Sequence, residues 1–337
     1  MKQIAKLAVF SLVLFGLTCF VSAREKKGFE IGVYEYVIQK CDLDFENASN
    51  ILENSIQSSS FELVASYDQA SPEECSLRTR VFVLYDSVYA NKIIGASPQT
   101  GPFAVADRIN LFEDENGLHV SIVNPSNIIR TVLMEDEKYK DLAEAHRISL
   151  RSIILENLTG TKSEKQYGPF RKKGYIGRTM GIMAGGAFED KIENVLVTSG
   201  QNLSEIIRML SSELNATSEK WQLSQVYSVI LEEAGKAVVG VSSPAIESRS
   251  FSIVKAGGDK SRKELSCPGI AHAAAYPIEI VITQKQNVFY IKLVDAMYRM
   301  KMFFEDAGKM AFAANMGMPG SIEKELKKKI KTAFEKN

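Results

Sequence analysis

The stretch from Ala106 to Met134 constrains this 337-residue chain more than any other, because its pattern recurs 171 positions later. Ile109 and Leu111 alternate with polar neighbours, and Glu115-Asn116-Gly117 supplies a turn in which glycine is free to take positive φ. Leu118, Val120 and Ile122 then alternate with His119 and Ser121. Asn124-Pro125 ends the strand and opens a helix, since proline cannot donate to a ladder and its fixed φ suits a first helical turn. Sliding by 171 positions lays Ile109 on Ile280, Leu111 on Ile282, Val120 on Ile291 and Ile122 on Leu293. Asn124-Pro125 falls on Asp295-Ala296, and Val83 on Val254. Two copies of one supersecondary unit make a tandem pair rather than a solenoid.

The alternation on this hairpin sends His119 and Ser121 to the face opposite the apolar set, which reads as a solvated face. Strands are expected near 29–38, 61–67 and 81–85, with helices near 48–56 and 137–157. In the second half, strands are expected near 192–197, 221–231, 251–254, 278–282 and 289–294, and a helix at 202–214. The Lys-, Gly- and Met-rich stretch 161–186 lacks sustained periodicity and reads as a solvated linker. It has neither a Walker Lys-Ser/Thr pair nor the glycine spacing of a dinucleotide fingerprint. The predicted fold class is α+β, two tandem domains, each an antiparallel sheet packed with helices. The expected divisions are a signal peptide at 1–23, a first domain at 24–160, the linker at 161–186, and a diverged copy at 187–337.

Lys2 and Lys6 precede an apolar core from Leu7 to Phe20, too short for a comfortable span, and Val21-Ser22-Ala23 places small residues at a cleavage site. The expected destination is the periplasm or the exterior, with no transmembrane segment once the signal is removed. Acylation of Cys19 as a lipoprotein is disfavoured by Thr18 before it. Without Lys2 and Lys6 the chain carries 39 basic and 41 acidic residues, a balance that implies no nucleic-acid surface. Three cysteines then remain, and the simplest pairing in an oxidising compartment joins Cys41 to Cys75 and leaves Cys267 free.

An ordered set of features in the first half carries a family resemblance. These are the helix around Asn50 to Ile56, the strand from Phe61 to Tyr67, the run from Val81 to Tyr85, and the loop Ser97-Pro98…Gly101-Pro102. The stretches Arg108 to Gly117 and His119 to Pro125 follow. Over residues 44–134 the chain resembles the family catalogued as domain of unknown function 302, and 200–306 looks like a diverged copy. In that copy Tyr276 to Ile282 fits well, the hairpin turn has lost its glycine, and Asp295-Ala296 replaces Asn-Pro. The resemblance implies an α+β domain with an antiparallel sheet and supplies no activity or catalytic residues.

Candidate chemistry is sparse. Cys267 and His272 share one loop, as a soft-metal or redox site would need, yet two ligands do not close a zinc site. The methionines at 297, 300, 302, 310, 316 and 318 could serve copper(I), or simply pack as adaptable core. His119 reads as a solvated strand residue and His146 as a helix-surface residue. The basic tail from Lys324 to Lys331 reads as a solvated amphipathic helix. The leading expectation is a non-catalytic module for a small ligand or another exported protein, without a cofactor. Its speculative contacts are Ser97, Pro98, Gly101, Cys267 and His272, and its expected place is the loop preceding the hairpin in one copy or the interface between the copies. The alternatives are a redox or metal-handling protein using Cys267, His272 and nearby methionines, and assembly, such as a dimer, through exposed β edges.

Overall fold

The computed structural model describes residues 30–134, 138–174, 176, 185–200, 202–216, 219–255, 262, 264–305 and 309–335. The expected signal peptide with Cys19, the acidic run at 135–137 and most of 175–184 lie outside them. The N-terminal half runs β1 (Ile31–Cys41), α1 (Phe45–Gln57), β2 (Glu62–Asp68), β3 (Thr79–Tyr85), α2 (Ser87–Ala96), a 3-10 turn (Gly101–Ala104), β4 (Ala106–Asp114) and β5 (Gly117–Val123). It continues with α3 (Pro125–Leu133), α4 (Lys140–Leu155), β6 (Gly160–Lys162) and β7 (Gln166–Arg171). The C-terminal half runs β8 (Ile192–Ser199), α5 (Leu203–Ala216), β9 (Ser224–Leu231), β10 (Lys236–Ser242), α6 (Pro244–Lys255), a 3-10 segment (Pro268–Ala275), β11 (Ile278–Lys285) and β12 (Val288–Val294). Helices α7 (Ala296–Phe304), α8 (Lys309–Ala314) and α9 (Gly317–Glu335) complete it.

Both sheets are antiparallel, in an α+β architecture. The first has the order β2-β3-β4-β5-β1, with β6 and β7 pairing along the outer edge of β1; the second has the order β9-β10-β11-β12-β8. From β1 through α3 and from β8 through α7 the element order is the same, and the 171-residue offset is exact for the second strand of the hairpin and the following helix. The local chemistry explains why. Gly117 turns the first hairpin at φ 128°, and Gln286 takes φ 56° in the second. Asn124 Oδ1 accepts from the Ser126 N–H at 2.9 Å to cap α3, and Asp295 Oδ1 accepts from the Tyr298 N–H at 2.7 Å to cap α7. Such a cap is worth about 1 kcal/mol whichever residue provides it.

Three expectations are corrected. The stretch around Val254 is not a strand: Phe251 and Val254 lie in α6, opened by Pro244, and the counterpart of β3 is the all-buried β10. β propensity in a short Phe-Ser-Ile-Val run yielded to the helix start. The expected linker contributes β6 and β7, because β1 would otherwise present an unpaired edge. The basic tail is not a solvated helix. Leu326 and Ile330 of α9 are buried, and the buried Lys329 ammonium donates to the carbonyls of Glu213 and Leu214 at 3.4 and 3.0 Å, at the C-terminal end of α5. Lys329→Met keeps the apolar stem and removes the donor, and is expected to lower unfolding free energy by about 1–2 kcal/mol in urea titration.

The first sheet is covered on both faces. Phe82, Leu84, Ile109, Leu111, Val120 and Ile122 form one core with α1 and α4. On the other face the 3-10 segment 268–275 of the C-terminal half lies across β3, β4 and β5. Reciprocally, the turn Gly101–Ala104 packs against β10 and β11 of the second sheet. Residues 31–337 therefore form one contact unit. Among the described residues no helix is long and apolar enough to cross a membrane.

Candidate functional site

The loops preceding each hairpin are braces. Ser97 caps α2 through its N–H to the Ile93 carbonyl at 3.0 Å, and its Oγ accepts from Thr100 N–H and Oγ1 at 3.2 and 2.8 Å. At Gly101 a Cβ would lie 2.5 Å from the Ile93 carbonyl oxygen, so the chain passes too close for any side chain. Pro98 is exposed. The turn thus delivers buried Phe103 to the contact with Phe188, its ring 5.6 Å away.

In the second loop Cys267 is bonded to Cys75, with Cα atoms 6.0 Å apart, and Cys41 is free. This corrects the expected Cys41–Cys75 pair: Cys75 and Cys267 meet because the 3-10 segment crosses the first sheet. His272 is fully buried, stacked on Phe304 at 5.7 Å and edge-on to Tyr34 and Tyr167, with Arg262 Nη1 3.4 Å from its Nδ1. Cys267 is thus tied up in a disulfide and His272 in an aromatic cage. Among the described residues, no group of three or more His, Cys, Asp or Glu is placed to hold a metal ion. Met300 and Met302 are buried on α7, while Met310 is exposed.

The polar residues that alternation assigned to solvent serve this brace. Asn110 Nδ2 donates to the Ile270 carbonyl at 3.2 Å, and Tyr167 Oη bonds both Ser121 and the Ala271 carbonyl at 2.8 Å. A 3-10 segment buried between sheets exposes carbonyls that must be met, and side chains on β4 and β7 meet them. His119 is buried on the same face, paired with Asp114 at 2.8 Å. His146 is also buried, its Nε2 2.7 Å from Asp107 Oδ2 and its ring stacked 3.4 Å from Tyr89. Both histidines were expected at the surface; each lies where a second element covers its own.

Two spaces stand out. The larger is a cleft walled by α6, β11, β12, α7 and the first half of α9, which leaves about 50 Å³ for the centres of water-sized atoms and opens to solvent. Ile253, Leu293, Met300, Phe304, Met318 and Ile322 are among its walls. Its polar groups are mutually engaged. Tyr276 Oη and Ser250 Oγ are 2.5 Å apart, and burial pushes the Tyr276 hydroxyl up to about 12. Glu323 accepts from the Ala296 N–H at 3.0 Å and pairs with Lys327 at 2.5 Å.

The second space lies between the halves and shares Ile278, Val294 and Arg299 with the first. Arg108 of β4 and Arg299 of α7 converge on one carboxylate, Glu279 of β11, at 3.1 and 3.3 Å. Both guanidinium groups also donate to the Ala275 and Pro277 carbonyls. The Phe303 ring lies 5.1 and 4.9 Å from the two guanidinium carbons. None of these residues was singled out from sequence. A signal existed: the 171-residue offset lays Arg108 on Glu279, opposite charges at one position of the two halves.

No family model and no curated protein matches the chain. Among solved structures it is similar to an uncharacterised conserved protein, DUF302, from Bacillus stearothermophilus: 12% identity and a TM-score of 0.32, covering 37% of this chain and 98% of that one.

Proposed function

We propose that the protein is an exported, non-catalytic binding protein, built from two copies of one α+β domain of the type catalogued as domain of unknown function 302, whose ligand is a small, mainly apolar molecule held in the cleft beneath α9. The observation that carries this reading is the cleft itself. Its walls are aliphatic and aromatic, its few polar groups are already paired, and it has room for a few water-sized atoms that an apolar ligand can displace. Met300 and Met318 give it walls that can adapt as a ligand enlarges the space. The matching element order of the halves supports a two-copy origin. A disulfide and the leader-like start of the sequence support export.

Trp221 is the sole tryptophan, and its Nε1 donates to Ser321 Oγ of α9 at 3.0 Å, so it reports on that helix. Titration with the neutral probe N-phenyl-1-naphthylamine is expected to give saturable probe fluorescence and a change in Trp221 emission. Met318→Glu places a charge at the half-buried cleft wall and is expected to weaken the probe about tenfold or more. Unsaturable binding, or binding indifferent to Met318→Glu, would refute the assignment.

A further inference from the structure

We propose that the cavity between the two halves is a binding site for a small monovalent carboxylate, of acetate size, held by Arg108 and Arg299. The proposal goes beyond the apolar cleft and does not depend on it. The first argument is charge. Arg108 and Arg299 are 4% and 7% exposed, and among the described residues Glu279 is the one carboxylate within 4.0 Å of either. The Ala275 and Pro277 carbonyls that share their donors are neutral. Two guanidinium groups against one carboxylate leave an excess positive charge out of water, which is costly unless a counter-charge joins it.

The second argument is unmet donors. Arg108 Nε is buried and has no hydrogen-bond partner among the described residues, and the same holds for the Tyr227 hydroxyl. Burial and the Glu279 charge keep that hydroxyl protonated far above the usual tyrosine range, and it feels Arg108 and Arg299 as well. Buried donors are ordinarily satisfied, and Arg108 lines the cavity, so its Nε calls for an acceptor there.

The third argument is shape. The cavity is partly open and leaves about 20 Å³ for the centres of water-sized atoms, so the guest has few heavy atoms. Arg108, Glu279 and Arg299 line it together with Phe103, Phe188 and Phe303. A planar anion with two oxygens suits guanidinium forks, and a methyl group suits the phenyl walls. A dianion would overshoot the single excess charge.

The test uses the purified full chain, extensively dialysed, in thermal melts with sodium acetate, sodium chloride or sodium sulfate at equal ionic strength. Acetate is expected to raise the midpoint along a saturating curve, with chloride and sulfate giving flat responses. Arg108→Lys keeps the charge but loses the fork and Nε, and is expected to weaken acetate about tenfold. Arg299→Lys, at the second fork of the same cavity, gives a second loss. Arg108 lines this cavity and not the cleft, so Arg108→Lys is expected to leave binding of N-phenyl-1-naphthylamine unchanged, and failure here and failure of the cleft reading are separable. Equal responses to all three salts, no saturating response to acetate, or full acetate affinity in both Arg108→Lys and Arg299→Lys would each overturn the proposal.

Discussion

Replacing Cys75 and Cys267 together by serine is expected to lower the unfolding free energy by about 4–5 kcal/mol. The bond closes a loop across 192 residues of sequence, the difference between β2–β3 of one half and the 3-10 brace of the other. In the chain-entropy account, a cross-link of that span removes about that much from the unfolded state. Both cysteines are buried in the main core, so the loss of packing from serine adds to the entropic term. The measurement is urea unfolding of the double variant beside the parent with and without reductant. The reduced parent is expected to fall well below the oxidised parent, and the variant somewhat below the reduced parent. Non-reducing peptide mapping should yield one linked peptide pair containing Cys75 and Cys267, with Cys41 free for alkylation after unfolding. A parent whose stability ignores reductant, or a Cys41–Cys75 peptide, would remove the bond from the account of the fold.

That bond shows where sequence reasoning reached its limit. Leu118, Val120 and Ile122 reveal the phase of β5, because a period of two needs only local residues to be read. The same pattern predicted a solvated opposite face, and this failed for a physical reason. Arg108 and Asn110 are polar because buried carbonyls of the other half need their donors, and His119 and Ser121 because buried neighbours of their own half, Asp114 and the Tyr167 hydroxyl, pair with them, not because water lies above them. A strand's alternation reports polarity, and polarity does not distinguish water from a neighbour's carbonyls. The loops before each hairpin were expected to carry ligand contacts. Ser97, Gly101, Cys267 and His272 prove to be the joints by which each half crosses the other, while the spaces open beside them. Arg108 and Glu279 were the legible part of the interface, since one offset brings opposite charges into register; Arg299, set against Ile128 by the same offset, left no such trace.

Stability is expected to fall as pH rises from about 5 to about 8, and Glu247 is the group that carries most of the change. Its side chain is buried on α6, where Oε1 accepts from Ser242 Oγ at 2.5 Å and Oε2 from the Ala70 N–H of the other half at 2.9 Å. These two bonds favour the charged form, but burial outweighs them and pushes the carboxyl from 4.5 to about 7. The ionisable groups that feel it are tyrosines, Tyr67 and Tyr276, whose hydroxyls are themselves raised by burial and supply no cation. Below the unfolded value of 4.5 the group is protonated in both states and carries no pH-dependent cost. Between 4.5 and 7 the unfolded chain releases its proton first, which draws the equilibrium toward unfolding; above 7 the full cost is present. A shift of this size corresponds to about 3 kcal/mol. Glu247→Gln can keep both contacts, its carbonyl accepting from Ala70 and its amide donating to Ser242 Oγ as that hydroxyl turns. Urea unfolding at pH 5, 6, 7 and 8 is expected to show the parent losing about 3 kcal/mol more than Glu247→Gln over that range. Glu35, also raised by burial against the pull of Arg147 and Arg151, bends both curves alike, so the difference between them isolates Glu247. Parallel curves would mean that the carboxyl is ionised without penalty, and the bond to Ala70 would then be an ordinary surface-strength contact between the halves.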